Sequence, residues 1–268
     1  MEVHSLAVGL FSVGLALVAV TATAVTSEST SAQLEKEPAP SAVLVELFTS
    51  QGCSSCPAAD RLLSRLAKTL PRGTSIVPLA FHVDYWNYLG WTDPFSSSDW
   101  SDRQRSYARR LESRGVYTPQ IVVNGRWGAV GSVESDVTAL IEHARQDEER
   151  SRITIAARLA PDDRIEIELS VQTHRSKEEL VLWLAVVENG FETPVGRGEN
   201  IRKTLHNDHV VRRLLPALEL GTIGSGVNSI LINPDPDWRR DNLSFAAFVQ
   251  DRATLRVYAA ASTRLGDE

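Results

Sequence analysis

The apolar positions of this chain change period several times between Ser41 and residue 150, and each change marks an element. Val43–Phe48 is a short apolar run that reads as a strand. Ala59, Leu62, Leu63, Leu66, Ala67 and Leu70 then fall at i, i+3, i+4, i+7, i+8 and i+11, which predicts an amphipathic helix over Cys56–Leu70, ended by Pro71-Arg72-Gly73. Ser75–Val83 is a second, continuously apolar strand. Asp99–Arg114 reads as an Arg-rich helix with one exposed face, closed by Gly115. Tyr117–Gly131 reads as a hairpin around Asn124-Gly125, followed by a helix over Val133–Glu149. The predicted order over 41–150 is therefore β-α-β-α-β-β-α.

After Arg150 the period becomes two. Ile153, Ile155, Ala157 and Leu159 alternate with polar residues, Pro161-Asp162-Asp163 turns the chain, and Ile165, Ile167, Leu169 and Val171 alternate again. Leu180–Val187 is an apolar strand, and Leu243–Val249 with Leu255–Ala261 reads as a further hairpin. With few helices between these strands, the expectation for 151–268 is a small antiparallel β-sandwich domain following the α/β domain of 41–150. At the other end, Leu6–Val25 is uncharged and largely apolar, and Ala22-Thr23-Ala24 is an A-x-A cleavage site. Residues 1–24 read as a signal peptide or, being about 20 residues long, as a membrane anchor. The stretch before it, Met1–Ser5, lacks the Lys or Arg a signal peptide normally carries. Residues 25–40, rich in Ser, Thr, Glu and Pro, read as a disordered tether. The folded part is expected outside the cytoplasm, in the periplasm or secreted, where disulfides persist.

Composition narrows the function classes. The formal net charge of the 268 residues is −6, so no basic footprint argues for nucleic acid. No phosphate cradle is present: Gly221–Gly226 lacks the Lys-Ser/Thr pair and the strand context of one. The two cysteines, Cys53 and Cys56, form a C-x-x-C pair between a strand end and a helix start. A zinc site needs more ligands, and no second C-x-x-C or H-x₃₋₅-H accompanies the pair, so no metal and no cofactor is expected. A strand–turn–helix C-x-x-C is the redox arrangement of thioredoxin-like folds. The first cysteine sits at a helix N-terminus, where the dipole and free N–H groups favour the attacking thiolate, and Cys56, one turn on, resolves the mixed disulfide. Thr118-Pro119 at the start of the hairpin is the second signature. In thioredoxin-like proteins the proline is cis and the residue before it faces the cysteines, so Thr118, Pro119 and Gln120 are candidate substrate-binding residues.

The segments VELFTSQGCSSCPAAD, FHVDYWNYLGWTDPF, RQRSYA and GVYTPQIVVNG resemble an exported thioredoxin-like family of undefined role, domain-of-unknown-function family 1223. The resemblance spans about residues 41–260. It implies a thioredoxin-like domain carrying Cys53 and Cys56 with a cis proline at Pro119, and it implies no substrate.

Three groups of residues carry two readings each. Glu46, seven residues before Cys53, is either a buried acid with a raised pKa that moves protons for the resolving cysteine or an acid on a solvated strand face. His82, Asp84, Tyr85 and Trp86 open an aromatic loop at a strand's carboxyl end, either a lid over the sulfurs or a loop packed on the second domain, with packing preferred. His206 and His209 lie in the polar stretch Gly198–Arg213, either reaching the thiolate of Cys53 or lying solvated between strands. The expected function is an exported thiol–disulfide oxidoreductase acting on protein or small-molecule disulfides with a redox partner the sequence does not identify. The alternative is a non-catalytic binding or assembly module on the same fold, with Cys53–Cys56 a structural disulfide.

Overall fold

The structure is a computed structural model that describes residues 1, 42–69, 75–147, 151–173, 179–219 and 225–267. Apart from Met1, the expected signal segment and tether of 1–40 therefore lie outside the described residues, as do the helix-ending Pro71-Arg72-Gly73 and most of Gly221–Gly226. Among the described residues no helix is long and apolar enough to cross a membrane.

In the first half the elements are β1 (Val43–Thr49), α1 (Cys56–Thr69), β2 (Ile76–His82), α2 (Ser98–Arg110), β3 (Gln120–Val123), β4 (Trp127–Val130) and α3 (Glu134–Arg145). This is the order the periodicity predicts. Strand β1 runs parallel to β2, with Val43 opposite Ile76 and Thr49 opposite His82, and antiparallel to β3. All seven residues of β1 are buried. Its odd-numbered side chains, Val43, Val45 and Leu47, pack with Ala59, Leu62, Leu63 and Leu66 of α1 and with Val137 and Ile141 of α3. Leu44 and Phe48 face the other way and pack with Phe81 and with Tyr107 of α2. The β3–β4 turn carries Asn124 and Gly125 at its centre with φ of 45° and 65°, closed by Arg126 N–H donating to Val123 O at 3.0 Å. A Cβ on Gly125 would lie 1.8 Å from Leu255 O, so close approach of the second half of the chain also requires glycine there.

The second half supplies β5 (Arg152–Leu159), β6 (Ile165–Gln172), β7 (Leu180–Glu188), β8 (Phe191–Pro194), β9 (Thr204–Asn207), β10 (Val210–Glu219), β11 (Ser225–Ile232), β12 (Leu243–Asp251) and β13 (Val257–Arg264). The antiparallel strands are as predicted, but they do not form a sandwich of their own. Strands β7, β10, β12 and β13 extend the first-half sheet, giving one mixed eight-stranded sheet in the order β13-β12-β7-β10-β2-β1-β3-β4. The three-stranded sheet β11-β6-β5 covers β7, β12 and β13 through Ile165, Ile167, Leu169, Leu182, Leu184 and Phe245. Sheet-on-sheet packing is thus present, with one of its layers shared. The boundary expected at residue 150 does not coincide with a break: the described residues from 42 onward belong to one compact unit. The physical reason is β2, whose free edge is taken by β10 at Val210↔Ala80, with Ala80 N–H donating to His209 O at 2.7 Å. The edge strand β13 also returns to the first half, where Ala42 N–H donates to Ala260 O at 3.1 Å and Val257 N–H to Asn124 O at 2.9 Å.

Candidate active site

Strand β1 ends at Thr49, and the chain turns through Ser50–Ser55 before α1 starts at Cys56. The turn is closed by Cys53 N–H donating to Ser50 O and Cys56 N–H donating to Cys53 O. Cys53 and Cys56 are joined in a disulfide with Cα atoms 5.5 Å apart. Both are buried, Cys53 at 1% exposure and Cys56 at 0%, while Ser54 and Ser55 between them are exposed. Across from the sulfurs lies the cis Thr118–Pro119 bond, with Thr118 O 3.9 Å from Cys53 Sγ. Gly131 makes this approach possible, because a Cβ there would meet Leu47, Ala59 and Pro119 at 3.0–3.3 Å. The structure thus brings together Cys53, Cys56, Thr118 and Pro119. Gln120 is buried beside them, its Oε1 accepting from Gln104 Nε2 of α2 at 2.9 Å.

The aromatic loop does reach this place. Trp86 Nε1 donates to Thr118 Oγ1 at 2.7 Å, and its Cβ and backbone O border Gly52. Tyr85 OH donates to Gln104 Oε1 at 3.0 Å, and burial pushes its pKa up to about 12. Asp84 accepts a hydrogen bond from Ser101 Oγ, which ties the loop to α2.

The polar stretch of the second half also arrives, but through residues other than the histidines. Asn200 is buried, and its Nδ2 donates to both Gln51 O and Cys53 O at 2.9 Å. Glu199 accepts from Ser54 N–H at 2.8 Å, and the Ser54 side chain first, then this N–H, lower its pKa. Lys203 Nζ holds Asn200 Oδ1 at 3.0 Å. Gln51 is bound from three sides: its Nε2 donates to Thr193 Oγ1 and Asn207 Oδ1, and its Oε1 accepts from Trp91 Nε1. His206, expected near Cys53, is instead 67% exposed and 3.4 Å from Glu192. His209 sits beside Lys68 and Asp208, near the far end of α1, where burial pulls its pKa down to about 4. Neither histidine serves the cysteines. Among the described residues there is no cluster of His, Cys, Asp or Glu able to hold a metal.

Glu46 is not the buried acid on the side of α1. Glu46 is fully buried but lies on the α2 face of β1, where its carboxylate accepts from Arg103 Nε at 2.7 Å and from Tyr107 OH at 2.5 Å. That face is opposite to the one α1 covers, so Glu46 is not behind Cys56. The acid on the α1 face is Asp60, one helical turn after Cys56 and buried with it. Desolvation raises its pKa from 3.8 to about 6, against the opposing pull of His82. His82 is buried and its Nδ1 lies 2.7 Å from Asp93 Oδ2, which also accepts from Gln51 N–H at 2.7 Å. Burial pulls the His82 pKa down, but the Asp93 carboxylate outweighs it and the net shift is upward. Asp93 is net lowered: burial pushes it up, and His82 and the backbone donors more than offset that. The sequence signal for Asp60 was an acid inside an apolar helical stripe, between Ala59 and Leu63.

No curated protein matches the chain. Among solved structures, a protein of Agrobacterium tumefaciens is similar over 85% of this chain and 96% of its own, with 27% identity and a TM-score of 0.66. HBP35 of Porphyromonas gingivalis shares the fold at 15% identity and a TM-score of 0.64, over 84% of this chain and 75% of its own. The model of a protein family of unknown function, DUF1223, matches residues 44–250, so the chain belongs to that family.

Proposed function

We propose that this protein is an exported thiol–disulfide oxidoreductase built on a thioredoxin-like first half. The observation that supports it is the Cys53–Cys56 pair at the start of α1, at the carboxyl end of parallel β1 and β2, set against Thr118–Pro119. Reduced Cys53 attacks one sulfur of a substrate disulfide as a thiolate, stabilised by the free N–H groups and dipole of α1. The substrate's other sulfur leaves as a thiolate. Cys56 then attacks Cys53 Sγ, expels the second substrate sulfur and restores the protein disulfide, so two electrons pass from the protein dithiol to the substrate. Thr118 and Pro119 position the substrate chain, with Gln120 holding that strand end in place. Residues 6–25 direct the chain out of the cytoplasm, either cleaved afterwards or kept as an anchor.

A redox titration of the pair tests this, together with trapping on Cys56→Ser. A potential above about −300 mV and a stable mixed disulfide on Cys53 are expected. Iodoacetamide should label Cys53 of the reduced protein much faster than Cys56, and equal or inverted rates would reverse the assignment. One observation favours the alternative of a structural disulfide in a binding module: the burial of both cysteines beneath Glu199 and Asn200. A potential below about −300 mV with no mixed disulfide selects that reading.

A further inference from the structure

The α1 face of β1 holds a buried polar group with no structural use in view. Thr49 and His82 are neighbours in the parallel register of β1 and β2. His82 Nε2 is buried and has no hydrogen-bond partner among the described residues, and the Thr49 side chain beside it acts on the Asp60 carboxyl. Orphan buried atoms of this kind are rare, and each costs stability. Asp60 faces the same spot from α1, and it and His82 influence each other's charge. The charged and polar groups acting on Asp60 are His82 of β2, Thr49 of β1, Asp93 of the following loop and Arg61 of its own helix. Residues four apart on a helix have Cβ atoms about 5–6 Å from each other, so Asp60 and Cys56, both buried, share one face of α1.

We infer that Asp60 accepts the proton of Cys56 when that thiol resolves the mixed disulfide, and that the buried His82–Asp93 pair keeps Asp60 ready to do so. The inference rests on the oxidoreductase reading. In the step, Cys56 S–H gives its proton to the Asp60 carboxylate. The sulfur forms the S–S bond to Cys53 Sγ, and the Cys53–substrate S–S bond breaks with its electron pair leaving on the substrate sulfur. Burial alone would keep Asp60 protonated and unable to accept. His82, whose own pKa burial lowers but the Asp93 carboxylate raises on balance, opposes that burial, and Asp60 settles at a pKa of about 6, so the carboxylate is available at neutral pH. Gln51 N–H on Asp93 fastens this pair to the cysteine loop itself.

The test mixes the reduced full-length protein with 5,5′-dithiobis(2-nitrobenzoate) and follows the two releases of thionitrobenzoate. The first release reports attack by Cys53 and the second reports resolution by Cys56. In the unsubstituted protein the second phase should rise with pH through about 6. Asp60→Asn should slow the second phase by about tenfold or more at pH 7, abolish that limb and leave the first phase unchanged. His82→Gln should move the limb to higher pH. An Asp60→Asn protein with an unchanged second phase and limb overturns the inference. Should that variant fail to fold, a limb unmoved in His82→Gln overturns it instead. Absence of the first phase in the unsubstituted protein overturns the oxidoreductase reading itself, a distinct result.

Discussion

Two acids are buried in contact with β1, one on each face, and their surroundings differ. Glu46 is saturated. Arg103 and Tyr107 bind its two carboxylate oxygens, Gln250 Nε2 donates to Tyr107 OH at 2.8 Å, and the guanidinium stacks 5.2–5.5 Å from the rings of Phe81, Tyr107 and Phe248. Asp60 is acted on by His82, the Thr49 side chain and Arg61, and its site holds His82 Nε2, which lacks a hydrogen-bond partner among the described residues. A buried charge whose valences are all met ties α2 to β1 and β12 of the sheet; one left incompletely met, one helical turn from Cys56, costs stability and, on the function proposed above, is placed for chemistry.

The contrast predicts opposite signs. Glu46→Gln strands the Arg103 guanidinium in its pocket and should destabilise the protein by about 3–5 kcal/mol, measured by urea unfolding, while the thiol-exchange pH profile of the folded fraction stays as it was. A profile altered in this variant would break the comparison. Asp60→Asn should do the reverse. Its carboxyl titrates near 6 in the folded chain and near 3.8 when exposed, so the folded state holds the extra proton between these values. Stability from this group therefore falls as pH rises from about 4 to about 6, a loss of about 3 kcal/mol that is complete above pH 7. The amide should be more stable than the acid by up to that amount at pH 7.5 and nearly equal to it at pH 3.5, read from unfolding curves at the two pH values. An amide no more stable at pH 7.5 would place Asp60 with Glu46.

Smaller effects sharpen the same distinction at the mouth of the site. Asn200→Ala removes two hydrogen bonds from the cysteine loop and should cost about 1–3 kcal/mol while raising the rate at which iodoacetamide reaches Cys53 in the reduced protein. An unchanged labelling rate would mean that the stretch around Asn200 does not cover the sulfur. His206→Ala, whose ring is exposed and only loosely paired, should change stability by less than about 0.5 kcal/mol and leave both thiol-exchange phases alone.

The reason Glu46 carries two readings in the sequence is visible in β1. A central strand buried on both faces shows no alternation, so nothing in VLVELFT tells which side Glu46 takes. The elements from β1 to α3 were legible because the helices keep a clear period and the strands are short apolar runs bounded by turn residues, and Cys53, Cys56, Thr118 and Pro119 follow from their place in that order. Strands β8 to β10 were not. They carry Arg212 and Arg213 in β10 and a proline at 216, and their charges are met by acids far along the chain: Arg212 by Glu188 and Asp237, Arg213 by Asp235. Such partners neutralise in space what reads as a solvated stretch in sequence. Asn200 and Gln51 were missed for the same reason, since two ordinary amides reveal their pairing only once the chain is folded.

The contacts that cover the cysteine loop span a long stretch of chain. Ser54 and Glu199 are 145 residues apart, Cys53 and Asn200 147. At about 5–20 residues per second, the ribosome makes that stretch in roughly 7–30 s. The two cysteines, three positions apart, need no such wait to meet. Until Glu199 and Asn200 exist, none of their contacts can cover the two sulfurs, whereas in the finished chain the pair is a disulfide lying beneath them. The order of manufacture gives each molecule one early interval of open access to its sulfurs, after which entry depends on moving the segment around Asn200.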